Sequence, residues 1–174
     1  MSSLSHKLIE SNVLTPRIYG LPKIHKEGVP LRPIVNNIGG LTYLLAKYLA
    51  RKLKPLVGKS SSFVKDSFSF MSELKAVKFE PEDFMVSFDI VSLYTNIPIK
   101  EALDVIIHIT DPDIAKLVEI CLISTFFSFK GEFYEKTCRV AMGSPLSLVV
   151  PDVFIEDFKS RALDFARFKP KLWK

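Results

Sequence analysis

Between residues 84 and 90, four large apolar residues occupy every second position and alternate with Met85, Ser87 and Asp89. The alternation predicts a buried strand with Asp89 on the face opposite the apolar residues. Pro98 then predicts the start of a helix. A carboxylate at the end of a buried strand, beside a turn, is a frequent position for metal or phosphate chemistry. The apolar residues of this predicted strand are Phe84, Val86, Phe88 and Ile90.

Helical spacing of apolar residues predicts helices over 41–57, 63–79, 98–109, 112–125 and 146–165. Pro151 lies inside the last of these and should either kink the helix or delay its start. In the second and third helices, the pattern predicts an inward face made of Val64, Phe68, Met71, Leu74 and Val77, and of Ala102, Leu103, Ile106 and Ile107.

Two further stretches predict extended segments joined by turns: the first is either a hairpin or an open pair of loops, and the second is a hairpin. Four prolines and two glycines exclude a helix over 15–35, and Glu27-Gly28 is a turn signal between two extended arms. The loop between the arms would carry Lys23, Lys26 and Arg32, side chains suited to phosphate. Residues 126–134 alternate around Lys130-Gly131 and predict a second hairpin, with 138–141 continuing extended. The fold class is therefore α+β, with mixed helices and a small antiparallel sheet.

Composition narrows the class of protein. The 174 residues are 48% hydrophobic, which suits a single globular domain with a real core. No apolar run reaches the length of a membrane span, and no secretory signal is visible at the N-terminus, so we expect no membrane association. Two cysteines without ligand-like spacing suggest reduced thiols in an intracellular protein, with nucleus and cytoplasm left open. The three scattered histidines argue against a zinc site.

Positive charge is concentrated in the first third of the chain. Residues 1–59 contain ten basic and two acidic residues, a net charge of +8, whereas residues 60–174 contain 14 basic and 17 acidic residues, a net charge of −3. A basic region of this size suggests a surface for a polyanion. The alternative is that these side chains only solvate helix faces, which is the better interpretation for Lys26, Lys47 and Arg51.

Three strings of residues, in this order, resemble the reverse transcriptases of Penelope-like retroelements. The first resembles the fingers of that family, the second resembles the palm motif with the first catalytic aspartate, and the third resembles the next palm motif. The resemblance implies an N-terminal extension over 1–14 and a partial reverse transcriptase domain over 15–174, with fingers over about 15–80 and palm over about 81–174. The strings are Tyr19–Lys26 with Pro30–Val35, Ser87–Pro98, and Gly131–Tyr134 with Ala141–Ser147.

The resemblance also implies a chemistry and a set of residues. Family members add dNTPs to a primer on an RNA or DNA template by two-metal phosphoryl transfer with Mg²⁺. Asp89 would be the catalytic carboxylate and a metal ligand, with the backbone carbonyl of Ile90 as a second ligand. Tyr94 would lie under the sugar and disfavour a 2′-hydroxyl. The remaining nucleotide-binding residues implied are Lys23 and Arg32 at the triphosphate, and Gly143, Ser144 and Pro145 at the template base and nucleotide.

The sequence departs from the family in one respect that bears on activity. The family completes its metal site with an Asp-Asp motif, and no Asp-Asp pair occurs in this sequence, which ends about where that motif should begin. We therefore expect no polymerase activity from the chain by itself, and either poor solubility or self-association because of an exposed sheet edge. Two alternatives remain: a non-catalytic nucleic-acid-binding protein, and a degenerate remnant of a reverse transcriptase. The family has other residues at the positions of Leu148 and Pro151-Asp152. These departures favour the second alternative, a degenerate remnant.

Overall fold

The structure is a computed structural model that describes residues 8–91, 93–124, 126–135 and 142–174. The extended stretch expected over 138–141 lies outside these residues. Mixed α and β structure is present, as predicted. None of the helices in the described ranges is long and apolar enough to cross a membrane.

Four strands form one sheet in the order β2-β1-β3-β4. Both predicted hairpins are confirmed, because β1 pairs antiparallel with β2, and β3 pairs antiparallel with β4. The expectation of a purely antiparallel sheet is wrong, since β1 and β3 are parallel where Arg17 lies beside Ser128. A long helical connection separates these two strands, and such a crossover permits parallel pairing. The strands are β1 (Arg17–Pro22), β2 (Leu31–Asn36), β3 (Phe126–Phe129) and β4 (Glu132–Glu135).

The helices fall close to the predicted stretches, and their local sequences explain where they begin. Asp111 caps one helix by accepting a hydrogen bond from the Asp113 N–H at 2.8 Å, and Pro112 occupies the first turn. Another begins with a capping box between Asp66 and Ser69. The helices are α1 (Tyr43–Leu53), α2 (Ser67–Ala76), the single turn α3 (Leu93–Asn96), α4 (Ile99–Ile109), α5 (Pro112–Ile123) and α6 (Val150–Phe165), with 3₁₀ turns at Lys54–Leu56 and Pro145–Leu148.

The hydrophobic core lies between α1, α4, α5, α6 and the 3₁₀ turn at Pro145–Leu148. Each of these elements contributes side chains that are removed from solvent, which is the main favourable term in folding. The largest fully buried side chains are Leu49, Leu53, Ile97, Ile106, Val118, Leu146, Val150 and Pro151.

Pro151 delays the last helix and does not kink it. Helix α6 begins at Val150, so Pro151 occupies the first turn, where its missing N–H leaves no intrahelical hydrogen bond unmade. Residues 145–148 form a separate 3₁₀ turn before it. Of the two outcomes expected for this proline, the structure therefore selects the later start.

The predicted strand over 84–90 is absent. These residues form neither helix nor strand, and all are exposed, Phe84 at 86% and Phe88 at 77%. Alternation of apolar residues creates a strand only where a second strand accepts the backbone hydrogen bonds, and none of the described strands pairs with this segment. The expectation of a buried central strand is therefore wrong.

Two expected inward faces also need correction. Helix α2 has no buried residue, with Phe68 88% and Met71 52% exposed, although its sequence has an apolar stripe. In α4, Ala102, Leu103 and Ile106 are buried as predicted, but Ile107 is 51% exposed. Periodicity identifies an apolar stripe, whereas only a packed neighbour makes that stripe a core face.

Candidate nucleic-acid interface

The hairpin of β1 and β2 presents two arginines and a tyrosine on one face. Tyr19 pairs with Ile34, and the neighbouring pairs on the same face are Arg17 with Asn36 and Leu21 with Arg32. Because side chains alternate across a strand and paired residues share a face, Arg17, Tyr19 and Arg32 lie on the same side of the sheet. We call this side of the hairpin the arginine face.

The side chains of the arginine face are open to solvent and to ligands. Arg17 and Arg32 are exposed, and Tyr19 is 52% exposed. Neither arginine forms a salt bridge with any residue in the part of the chain that the structure describes. Guanidinium groups without an acidic partner, beside an exposed aromatic ring, are suited to phosphate contact and base stacking.

Lys23 lies just beyond the end of β1 and is half-buried. Its N–H donates to the Pro30 carbonyl at 3.0 Å, and its carbonyl accepts from the Lys26 N–H at 3.0 Å. These bonds close the loop between the two strands on itself. The structure therefore places Lys23 in the loop, as predicted, whereas Arg32 lies in strand β2, opposite Leu21, at the same end of the hairpin.

The turn that begins at Met142 lies directly against β2. The Val35 N–H donates to the Met142 carbonyl at 2.9 Å. Gly143 has a φ of +108°, and a Cβ added to it would lie 2.0 Å from the Val35 carbonyl oxygen. Only glycine fits both that backbone angle and that approach. Val35 is three residues from Arg32 on the same strand, about 10 Å at the usual rise.

Ser144 and Pro145 lead from this turn into the core. The Ser144 side chain accepts from the Leu146 N–H at 3.4 Å, and its carbonyl accepts from the Ser147 hydroxyl at 2.5 Å. Leu146 is fully buried in the same core cluster as Ile97. Ile97 of the second string and Leu146 of the third therefore lie in one core, and the hydrogen bond from Val35 to Met142 joins the first string to the third.

Asp89 and Ile90 are placed differently from the expectation. Both lie in the exposed, irregular segment. Within the described ranges, no group of three His, Cys, Asp or Glu side chains could hold a metal ion. Two Mg²⁺ ions require several carboxylate oxygens, so the described residues do not fit a two-metal site.

Tyr94 lies in the one-turn helix α3 and is half-buried. Its neighbour in that turn, Asn96, donates from its side-chain amide to the Val91 carbonyl at 2.9 Å. This bond ties α3 to the end of the exposed segment. Tyr94 therefore remains close in sequence to Asp89, which it follows by five residues.

The opposite face of the sheet carries an apolar groove of about 490 Å³, lined by residues of all four strands, and Tyr19 of the arginine face also contributes to its lining. The rings of Phe127 and Tyr134 stack there with centroids 5.6 Å apart. The Tyr134 hydroxyl donates to Glu132 at 2.7 Å, and this hydrogen bond raises the pKa of Tyr134. The two faces of the sheet therefore differ, one with arginines and one apolar.

Sequence reasoning missed Arg17 and Tyr19 as parts of the candidate interface. The signal was available, because both stand at alternate positions of β1 and a hairpin register pairs that set with the set containing Arg32. Within the hairpin, the resemblance assigned a role to Lys23 and Arg32 but none to Arg17 or Tyr19. Lysines of α1, such as Lys47 and Lys52, lie on another element, and Lys52 stands over the ring of Tyr48 at 5.7 Å.

Fold and interface together define an α+β protein with a small mixed sheet and a basic, aromatic hairpin face. Comparison with known proteins adds no family to this description: no family model matches the chain, and no curated protein matches it significantly.

Proposed function

We propose that this chain is a nucleic-acid-binding segment related to the reverse transcriptases of Penelope-like retroelements. It would bind an RNA or DNA template-primer, together with dNTP, and it would not catalyse nucleotide transfer by itself. In this proposal the fingers cover about 15–80 and the palm about 81–174. The relationship rests on the three strings of the sequence, and the function rests on the geometry of the hairpin.

The observation that carries the proposal is the exposed arginine face. Two guanidinium groups and a tyrosine ring stand on one side of a two-stranded ribbon, without an acidic partner in the described residues. Phosphate contacts supply most of the affinity for nucleic acid, and aromatic rings add stacking with bases. The close approach of Gly143 to Val35 holds the neighbouring turn against strand β2 of the hairpin.

Binding is supported better than catalysis by this chain. Asp89 is exposed, and among the residues that the structure describes there is no group of three His, Cys, Asp or Glu side chains of the kind that two divalent cations require. Mg²⁺, when bound in a complete family site, would activate the primer hydroxyl and hold the triphosphate. In this proposal the chain by itself carries out no Mg²⁺-dependent reaction. What the chain's own residues supply is a phosphate-binding and stacking surface.

Fluorescence anisotropy with labelled single-stranded RNA and with a template-primer duplex tests the binding function. We expect Arg17→Glu combined with Arg32→Glu to weaken binding at least tenfold. The matched control is Lys100→Glu with Lys116→Glu, which makes the same change in charge at exposed positions of α4 and α5. Equal loss of binding in both double variants would show that net charge alone is responsible, and would overturn the proposal.

Primer extension on poly(rA) with Mg²⁺ or Mn²⁺ tests the absence of catalysis. We expect no extension by the purified chain, and nucleic-acid binding by Asp89→Ala equal to that of the unaltered chain. Extension that disappears in Asp89→Ala would contradict the proposal. Loss of nucleic-acid binding in Asp89→Ala would show that binding depends on the segment 84–90. That result would also count against the proposal.

A further inference from the structure

The segment Phe84–Ile90, with Val91, is the largest run of exposed apolar residues in the described chain. Single exposed apolar residues are common on protein surfaces, but contiguous ones mark interaction sites. The six apolar side chains leave on the order of 700 Å² open, close to what one partner contributes to a standard interface. Their exposures are Phe84 86%, Met85 77%, Val86 54%, Phe88 77%, Ile90 47% and Val91 76%.

The backbone of this segment is also free to pair. Among the described residues, no backbone N–H or carbonyl of residues 84–90 takes part in a hydrogen bond. The sequence is rich in residues that favour strands, has no proline, and contains one charge, Asp89. Segments of this kind pair readily with a strand from another chain.

We propose that residues 84–90 pair antiparallel with the same segment of a second copy of this chain. With Ser87 opposite Ser87 of the copy, Phe84 pairs with Ile90 and Val86 pairs with Phe88. Both pairs join an aromatic residue to a β-branched one, which is among the favourable cross-strand combinations. The alternation that the sequence shows would then become a strand, in a dimer.

Charge also agrees with this register. Asp89 lies opposite Met85 of the copy, so the two Asp89 carboxylates stand four residues apart, about 13 Å along the ribbon. Charges at that separation are largely screened at physiological salt. The pairing is isologous, since each chain contributes the same residues, and it closes after two chains.

Sedimentation of the purified chain at increasing concentration tests the proposal. We expect a reversible dimer, and we expect Val86→Lys and Phe88→Glu each to be monomeric. Phe165→Lys is the control for added charge, because Phe165 is also 88% exposed but lies at the end of α6. This control should remain dimeric, and a monomer at every concentration of the unaltered chain would overturn the inference.

Mixing the variants tests the register. Val86→Lys mixed with Phe88→Glu should restore a dimer, because the two altered residues face each other with opposite charges. Val86→Lys mixed with Phe84→Glu should stay monomeric, because residue 84 faces residue 90. Rescue in both mixtures would contradict the register. The arginine face lies elsewhere, so Arg17→Glu with Arg32→Glu should leave the dimer intact, and failure of either proposal can be told from failure of the other.

Discussion

Gly143 and Val35 stand so close that a Cβ at residue 143 would lie 2.0 Å from the Val35 carbonyl oxygen. The contact joins two parts of the chain more than a hundred residues apart, the turn before the 3₁₀ segment and strand β2. It fixes the hairpin of the arginine face against the core. A backbone atom cannot move aside as a side chain can, so the contact tolerates only glycine.

Gly143→Ala should lower the free energy of unfolding by about 3 kcal/mol, because the unfavourable φ and the clash add to each other. Urea unfolding followed by circular dichroism measures this. Gly131→Ala is the matched control, since Gly131 has a φ of +87° and no atom within 4 Å of an added Cβ. It should cost only about 1 kcal/mol. Equal effects would show that the approach to Val35 does not constrain the fold.

The salt dependence of nucleic-acid binding should report the arginine face directly. Each phosphate contact adds about 0.7 to the slope of log affinity against log salt for single strands. Arg17→Gln with Arg32→Gln should therefore reduce that slope by about 1.4. Anisotropy titrations at several salt concentrations provide the measurement, with Lys100→Gln and Lys116→Gln as the control pair. An unchanged slope in the arginine variant would mean that these side chains do not contact phosphate.

The fluorescence of Trp173 should reveal whether the C-terminal residues stay bound to the turn that precedes the exposed segment 84–90. Lys171 donates to Asp83 at 2.5 Å, and Lys174 donates to the Ser61 carbonyl at 2.8 Å and pairs with Glu73. The Glu80 N–H, and then Lys171, lower the pKa of Asp83. Because the pKa of Asp83 is lower in the folded chain, its ionised carboxylate stabilises the folded state at pH values above the unfolded pKa of 3.8. This stabilisation is lost as pH falls through the folded pKa.

Trp173 is the sole tryptophan of the chain. We therefore expect acrylamide to quench its fluorescence more strongly below about pH 4, because the side chain becomes more accessible. Asp83→Asn should show that greater quenching already at pH 7, whereas Glu82→Gln, a change at the neighbouring exposed carboxylate, should not. Quenching that is the same in Asp83→Asn and in the unaltered chain at pH 7 would show that Asp83 does not hold the C-terminal residues.

Because of Cys121, the free energy of unfolding should fall as pH rises in the alkaline range. Its side chain is buried in α5, and burial raises the pKa of the thiol from 9.0 to about 11. Because the folded pKa is raised, the contribution of the neutral thiol is complete below pH 9 and is lost as pH rises toward 11. Urea midpoints of the unaltered chain should fall more steeply over this interval than those of Cys121→Ala. Parallel curves would contradict the prediction.

Several features could be predicted because they depend on residues close in sequence. Prolines and the Glu27-Gly28 turn exclude a helix over 15–35 and favour the hairpin that β1 and β2 form. Lys130, with a φ of 52°, and Gly131 provide the backbone of a tight two-residue hairpin turn. Asp111 and Pro112 determine where α5 begins. The alternation within β1 and β2 also determines which side chains share a face, so Arg17 and Tyr19 could have been found.

Only the tertiary structure decided that residues 84–90 do not form a strand. The sequence of residues 84–90 is competent to form a strand, but a strand needs a neighbour to accept its backbone hydrogen bonds, and the described fold provides none. The parallel pairing of β1 with β3 and the contact of Gly143 with Val35 likewise join distant residues. Local chemistry determines turns, caps and faces, whereas the choice of partner depends on how the whole chain packs.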